Sequence, residues 1–211
     1  MPQSSPTDRH DKSLSILEAA TSVFLTHGFS AATTDMIQRE SGVSKATLYS
    51  LFPGKEAMFT AVIERQCARM ASTIQAIRTA PGDIARTLTD IGTAYLDIVL
   101  SDSGLALFRV VVAESPRFPA AGRCFYLAGP RTVTSMVAEH LSEAAQAREI
   151  DIHPLGVEAA ASLFISLVRA EGQLECLMHP SARPSAEQME RWVRQAVDVF
   201  LGRFGAHTIN A

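Results

Sequence analysis

The feature that most restricts what this chain can become is residues 33–59, TTDMIQRESGVSKATLYSLFPGKEAMF. Two short helical pieces are joined there by a turn too tight for an ordinary loop. Thr34 opens the first piece as its N-cap, and Ile37 and Ser41 share one face four residues apart. Gly42 stands where a helix C-terminus needs a residue with positive φ. Ser44 then caps the second piece, whose Leu48, Leu51 and Phe52 fall on one face at i, i+3 and i+4. The opposite face carries Lys45, Ala46, Thr47, Tyr49 and Ser50, which are small, basic or hydroxylated. A short helix, a glycine turn and a second helix with an outward polar face form the arrangement that lays a recognition helix in the DNA major groove.

Residue chemistry divides that face into roles. In the first turn, Lys45 can donate to guanine O6 and N7, while the Ala46 and Thr47 methyls can touch a thymine methyl. Ser44, Tyr49 and Lys55 suit phosphates, which set register without reading sequence. Ser50 lies on the same polar face. Thr33 and Thr34 sit at the start of the preceding helix, where a capping hydroxyl and free amides are also placed for a phosphate. Half-buried support of its helix is the competing reading for Tyr49.

The run GVSKATLYSLFPGKEAMF, with a preceding helix that ends in His-Gly-Phe, resembles the N-terminal DNA-binding domain of TetR/AcrR-type bacterial transcriptional regulators. The likeness covers residues 13–63. Two positions depart from the family pattern: Gln38 replaces a small Ala packed between helices, and Leu51 replaces a polar aromatic or His that often meets the DNA backbone. Further on, ESPRFPAAGRCFYLAGP at residues 114–130 resembles a segment of the AefR-like branch of TetR-type ligand-binding domains. The resemblance implies an all-α chain. A three-helix DNA-binding domain with its helix-turn-helix leads into a larger helical domain for ligand binding and dimerisation.

The chain has 211 residues, 47% of them hydrophobic, with one Trp and three Tyr, so its core is rich in Ala, Leu, Val and Ile. Its formal charge of −3 is not what a non-specific nucleic-acid binder carries as a rule. Within residues 1–55, Arg9, Lys12, Arg39, Lys45 and Lys55 are cancelled by Asp8, Asp11, Glu18, Asp35 and Glu40. DNA affinity therefore has to come from a few placed groups and from dimerisation. Cys67, Cys124 and Cys176 are far apart, without CxxC or Cys/His ligand spacing, and read as reduced thiols of a helical core rather than as a disulfide framework or a zinc site. No cofactor is called for. The opening MPQSSPTDRHDK is polar and reads as a disordered arm over 1–11, not a signal peptide. The longest strongly apolar run, residues 159–168, is too short to span a bilayer. These features predict a cytoplasmic protein.

Helical periodicity continues to the end of the chain. The first helix should cover about 12–27 and stop at Gly28. Residues 12–55 make the reading head and 56–211 the larger domain. A long helix over 55–79, stopped at Pro81-Gly82, links the two through Met58, Val62, Ile63, Met70, Ile74 and Ile77. Helices follow at 84–100, 105–114, 120–126, 127–148, 155–178 and 184–204. The run Val110-Val111-Val112 would favour a strand alone, but its short length and helical surroundings argue for a helix.

The last two helices have more apolar arc than one surface helix needs, and in the resembled family the equivalent pair meets its symmetry mate in a four-helix bundle. Phe164, Trp192, Val193, Ala196 and Phe200 are the expected interface. An internal pocket for a small hydrophobic or aromatic effector would be lined by Phe108, Val112, Phe125, Met136 and Phe164, with Arg109 or Glu171 as the polar orienting group. Plain core is the competing reading for each. The chain lacks a GxSxG elbow, a Walker loop, a GxGxxG turn and an HExxH helix, which argues against an enzyme. The resulting expectation is a dimeric, ligand-responsive repressor on a palindromic operator. A helix-turn-helix regulator controlled by a protein partner or by abundance is the alternative.

Overall fold

The computed structural model describes residues 6–78, 80, 82–179 and 181–206, apart from the side chains of 6–8, 170 and 171. Its helices are α1 (Pro6–Ala31), α2 (Thr34–Ser41), α3 (Lys45–Leu51), α4 (Lys55–Gln75), α5 (Ile84–Val99), α6 (Asp102–Glu114), α7 (Pro119–Tyr126), α8 (Thr132–Gln146), α9 (Val157–Met178) and α10 (Ala186–Phe204). A π-helical turn, Leu127–Arg131, joins α7 to α8. Among the described residues the only β feature is an isolated bridge between Ile150 and Gly205. The chain is all-α.

Two compact units emerge, and neither is continuous in sequence. The first comprises Met1–Ala68 and Ala106–Ala128; the second comprises Arg69–Leu105 and Gly129–Ala211. A boundary drawn at 55/56 from sequence therefore does not coincide with the division in space. Residues 106–128 pack with the reading head because Leu107, Val111 and Ala121 supply buried apolar surface to the same core as α1–α4.

In the first unit, Ile16, Ala19, Ala20, Val23 and Phe24 of α1 recur at helical spacing and are buried. Gly28 bends the helix with φ 74°. Phe29 beyond the bend sets its ring 5.7 Å from Phe24, 4.8 Å from Phe59 and 5.9 Å from Phe118. Ile37 of α2 and Leu48 of α3 are fully buried on this core, each worth about 2 kcal/mol of apolar transfer. Across α1 and α4, Arg65 donates to Glu18 at 2.9 Å.

The second unit is built on Leu88, Ile91, Leu96, Val137, Leu141, Phe164 and Phe200, all buried. Gly172 of α9 leaves room for the Trp192 ring of α10; a Cβ there would meet the indole at 2.5 Å. Buried Thr87 accepts from the Ala80 amide at 3.0 Å, and Asp83 caps α5 through the Arg86 amide.

Several element boundaries differ from the sequence expectation. The arm expected over 1–11 is helical from Pro6, while Met1–Ser5 lie outside the described residues. Proline is preset for the first helical position, and extending an existing helix avoids the cost of nucleating one. α4 ends at Gln75 rather than near 79, and Ile77 closes its end by donating to the Ile74 carbonyl at 3.0 Å. Thr79 and Pro81, the latter read as part of its stop, lie outside the described residues. The single helix expected over 127–148 is interrupted because Pro130 has no N–H to donate, and the wider turn absorbs the loss. Val110-Val111-Val112 is helical within α6.

Candidate nucleic-acid interface

Local chemistry explains the geometry of the α2–α3 pair. Thr33, one residue before the Thr34 expected from sequence, is the N-cap of α2, its hydroxyl accepting from the Met36 amide at 3.2 Å. That frees Thr34, whose hydroxyl lies 3.1 Å from the Tyr49 hydroxyl on α3. Gly42 ends α2 in the left-handed region at φ 68°, with open space around it, so backbone conformation alone requires glycine there. Gln38 donates from Nε2 to the Val43 carbonyl at 2.8 Å and so closes the turn, a use for its amide that a small Ala could not supply. Ser44 caps α3 by accepting from the Thr47 amide at 3.1 Å.

With Leu48 buried beneath it, α3 presents Lys45, Ala46, Tyr49 and Ser50 to solvent. Thr47 is half-buried, its hydroxyl 2.8 Å from that of Ser44, and Ser50 donates back to the Thr47 carbonyl at 2.8 Å. Tyr49 is 44% exposed, its hydroxyl tied to Thr34 across the two helices. Every side chain singled out on α3 thus reaches one exposed, polar face. Of the apolar anchors, Leu48 is fully buried, while Leu51 and Phe52 are half-buried.

Two lysines are more engaged than their sequence suggests. Lys45 Nζ lies 2.8 Å from Asp35 Oδ1, both groups exposed. The hydrogen bond and charge of Lys45 hold the Asp35 carboxyl below its ordinary value, and Asp35 raises the lysine in turn. Lys55 Nζ donates to the carbonyls of Phe29 (2.8 Å) and Ala32 (3.0 Å) and sits 4.3 Å above the Phe29 ring. Its ammonium therefore clamps the kinked end of α1 after Gly28, leaving one of three N–H donors for a phosphate. Asp35 and Gln38 were missing from the sequence-derived interface; the signal for Asp35 was only an acid in the first turn of α2.

The candidate effector residues divide between the units. Phe108, Arg109, Val112 and Phe125 belong to the first, and Met136 and Phe164 to the second. The structure brings together Phe108 and Phe125, their rings edge to face at 6.0 Å. Val112 is 55% exposed, and Phe164 is fully buried against Phe200 at 5.5 Å. Phe164 is packed core and Val112 is surface. The Glu171 side chain lies outside the described residues.

The expected dimer residues need correction. Phe164, Val193, Ala196 and Phe200 are buried in the second unit's own core, and Trp192 lies half-buried over Gly172. Among the described residues, the large apolar side chains that α9 and α10 leave exposed are Leu163, Leu174, Met178 and Val199. Both helices have apolar residues on more than one face, and periodicity cannot say which face meets its own chain.

Of the thiols, Cys67 and Cys176 are buried and Cys124 half-buried, and none is in a disulfide. Burial pushes the Cys67 thiol up to about 12, which makes it a poor nucleophile. Among the described residues no helix is long and apolar enough to cross a membrane.

Residues 16–62 match the tetR family of bacterial regulatory proteins, and residues 86–206 match the C-terminal domain of AefR-like transcriptional repressors. The transcriptional activator FasR of Mycolicibacterium smegmatis is 33% identical over 96 residues, 45% of this chain and 43% of that protein. The uncharacterised regulator YvkB of Bacillus subtilis is 27% identical over 112 residues, 49% of this chain and 58% of its own. The chain thus spans about half the length of the curated relatives it matches. Among solved structures, a TetR-family regulator from Mesorhizobium loti superposes with a TM-score of 0.86 at 23% identity, over 93% of this chain and 98% of its own, a likeness of fold. The flavonoid-responsive regulator FrrA superposes with a TM-score of 0.75 at 32% identity, over the same shares.

Proposed function

This chain belongs to the TetR family of bacterial regulatory proteins and carries an AefR-like C-terminal domain, and on that premise we propose that it is a dimeric transcriptional repressor released from a palindromic operator by a small aromatic effector. Its similarities are to transcriptional regulators, not enzymes. The observation that carries the reading is the exposed face of α3, with Lys45, Ala46, Tyr49 and Ser50 outward and Leu48 anchored inward. Lys45, Ala46 and Thr47 read base edges; Thr33, Thr34, Ser44, Tyr49, Ser50 and the remaining donor of Lys55 hold phosphates. Two such heads, about 34 Å apart, read successive major grooves, which is why a dimer and a palindrome belong together. The protein works where the chromosome lies, in the cytoplasm.

Release follows from how the head is built. Residues 106–128 share its core, with Ser30 donating to Glu114 at 2.7 Å and Phe118 stacked on Phe29. An effector that displaces this segment disturbs the kinked end of α1 that carries Phe29 and, through Lys55, the packing within the head. A hundredfold loss of operator affinity needs a coupling of about 2.7 kcal/mol. FrrA, itself flavonoid-responsive, supports a planar aromatic molecule as the first class to try.

The test is selection of genomic DNA fragments by the purified protein, repeated with flavonoids present. One enriched palindrome, abolished by Lys45→Ala with Thr47→Ala and diminished by a flavonoid, is the expected result. An enriched site indifferent to every small aromatic molecule would instead favour control by a protein partner or by abundance. No enriched site at low salt would end the DNA-reading hypothesis.

A further inference from the structure

Asp35 lies in the first turn of α2 and Lys45 begins α3. Their side chains meet at 2.8 Å, both more than half exposed. The contact uses one carboxylate oxygen and one of the three ammonium N–H groups. Arg39 donates to the Asp35 backbone carbonyl at 3.2 Å, not to its carboxylate. An anionic acceptor and a cationic donor thus stand side by side at the end of α3 that a helix-turn-helix turns toward base edges. On such a surface a carboxylate is repelled by every phosphate, and in the major groove only an exocyclic amino group offers it a donor. A G·C pair carries that donor, cytosine N4–H, beside the acceptor guanine O6, and Watson–Crick pairing holds the two atoms about 2.9 Å apart. That spacing matches the ion pair.

We propose that Asp35 is a specificity-determining residue: with Lys45 it selects one G·C pair in each half-site, guanine under the lysine and its cytosine under the carboxylate. The inference rests on the DNA-binding function proposed above and places a determinant on α2, outside the recognition helix. Ammonium on O6 and carboxylate on N4 close a ring of four groups without breaking the ion pair, and a second ammonium N–H is free for N7. The other base pairs fit this ring unequally. T·A keeps an acceptor, O4, under Lys45 and a donor, adenine N6, under Asp35, but sets a methyl where N7 stood. A·T and C·G put a donor against the ammonium and an acceptor against the carboxylate. The order is therefore G·C, then T·A, then the other two. Lys45 by itself tolerates A·T through adenine N7, so a penalty on A·T is the mark of Asp35.

The experiment uses the full chain. Selection of DNA fragments with wild type and Lys45→Ala finds the operator position whose preference that variant loses. Fluorescence anisotropy then compares operators carrying each of the four base pairs at that position in both half-sites, with a scrambled duplex as control. Wild type should bind the G·C operator at least about tenfold more tightly than the A·T or C·G version, with T·A between. In Asp35→Ala the A·T penalty should shrink to within about twofold, while preferences at the other operator positions stay as they were. Affinity for the scrambled duplex should rise, because a carboxylate has gone. Asp35→Asn keeps a neutral acceptor and should keep part of the penalty. Circular dichroism checks that both variants are folded. A Lys45 position that does not prefer G·C, or none that Lys45→Ala affects, would overturn the proposal while leaving DNA binding standing. So would an A·T penalty undiminished in Asp35→Ala, or a loss equal on all duplexes, which marks a structural role. Wild-type protein that binds no duplex sinks the DNA reading and this proposal together.

Discussion

At the scale of single residues, Lys45 and Asp35 decide how the α3 face meets DNA. The pair is short, at 2.8 Å, and both groups are solvent-exposed, so its contribution to folding is small. Its effect on binding is larger in kind, because a carboxylate on this face repels phosphate and occupies the one lysine in the first turn of α3. Asp35→Asn should raise DNA affinity severalfold at moderate salt, and the gain should vanish in a Lys45→Ala background. Anisotropy titrations of the four proteins in that cycle check the prediction; reduced affinity in the single variant would mean that Asp35 aims Lys45 instead of restraining it. The sign with pH follows from the shift. Asp35 is depressed from 3.8, so the pair's contribution is present above that value and is lost only as pH falls through the lower one. Between about pH 5 and pH 8 the pair contributes no pH dependence to DNA binding.

At the scale of elements, helix ends are closed by side chains from elsewhere in the same unit. Glu149 accepts from the Gly82 amide through Oε1 and from the Ile84 amide through Oε2, both at 2.9 Å, joining the end of α8 to the start of α5. Arg148 makes that reach by adopting φ 62°, a left-handed residue just beyond α8. Glu149→Ala leaves both amides without this partner and should cost about 2 kcal/mol, or roughly 4–8 °C in a thermal melt. Glu149→Gln keeps one good acceptor and should lose about half as much. Equal melts for wild type and the Ala variant, followed by circular dichroism, would show that water replaces the clamp at no cost. DNA affinity well below the melting range should be unaffected, since neither amide belongs to the reading head.

At the scale of the whole molecule, two facts bear on assembly and control. Residues 106–128 belong to the head's compact unit, although more than forty positions separate them from α4's first turns. Among the described residues, the large exposed apolar side chains of α9 and α10 are Leu163, Leu174, Met178 and Val199, and the spacing of Leu163, Leu174 and Met178 places those three on one face of α9. A second copy of this chain is the proposed cover for that face. Leu174→Glu with Val199→Glu should leave the helical content of the separated chain intact by circular dichroism, because both sites are on its surface. The same variant should sediment as a monomer and bind its operator at least about a hundredfold more weakly. A variant that still sediments as a dimer would place the interface elsewhere.

Sequence alone determined what is set within a few residues of the chain. Gly42 needs only its own φ, Ser44 only the amide three residues on, and Leu48 only the period of its helix to put Lys45, Ala46, Tyr49 and Ser50 on the other side. The all-α character was legible for the same reason, and even Val110-Val111-Val112 followed its surroundings into α6. Tertiary structure alone decided the matters that depend on distant partners. It turned Phe164, Val193, Ala196 and Phe200 inward and left Leu174 and Val199 outside, because packing against a particular neighbour, not periodicity, chooses between two apolar faces. It gave Lys55 to the carbonyls after Gly28, Lys45 to Asp35, and residues 106–128 to the core of the head. Charges and apolar groups are promiscuous in sequence, and only the folded chain brings each within reach of one partner.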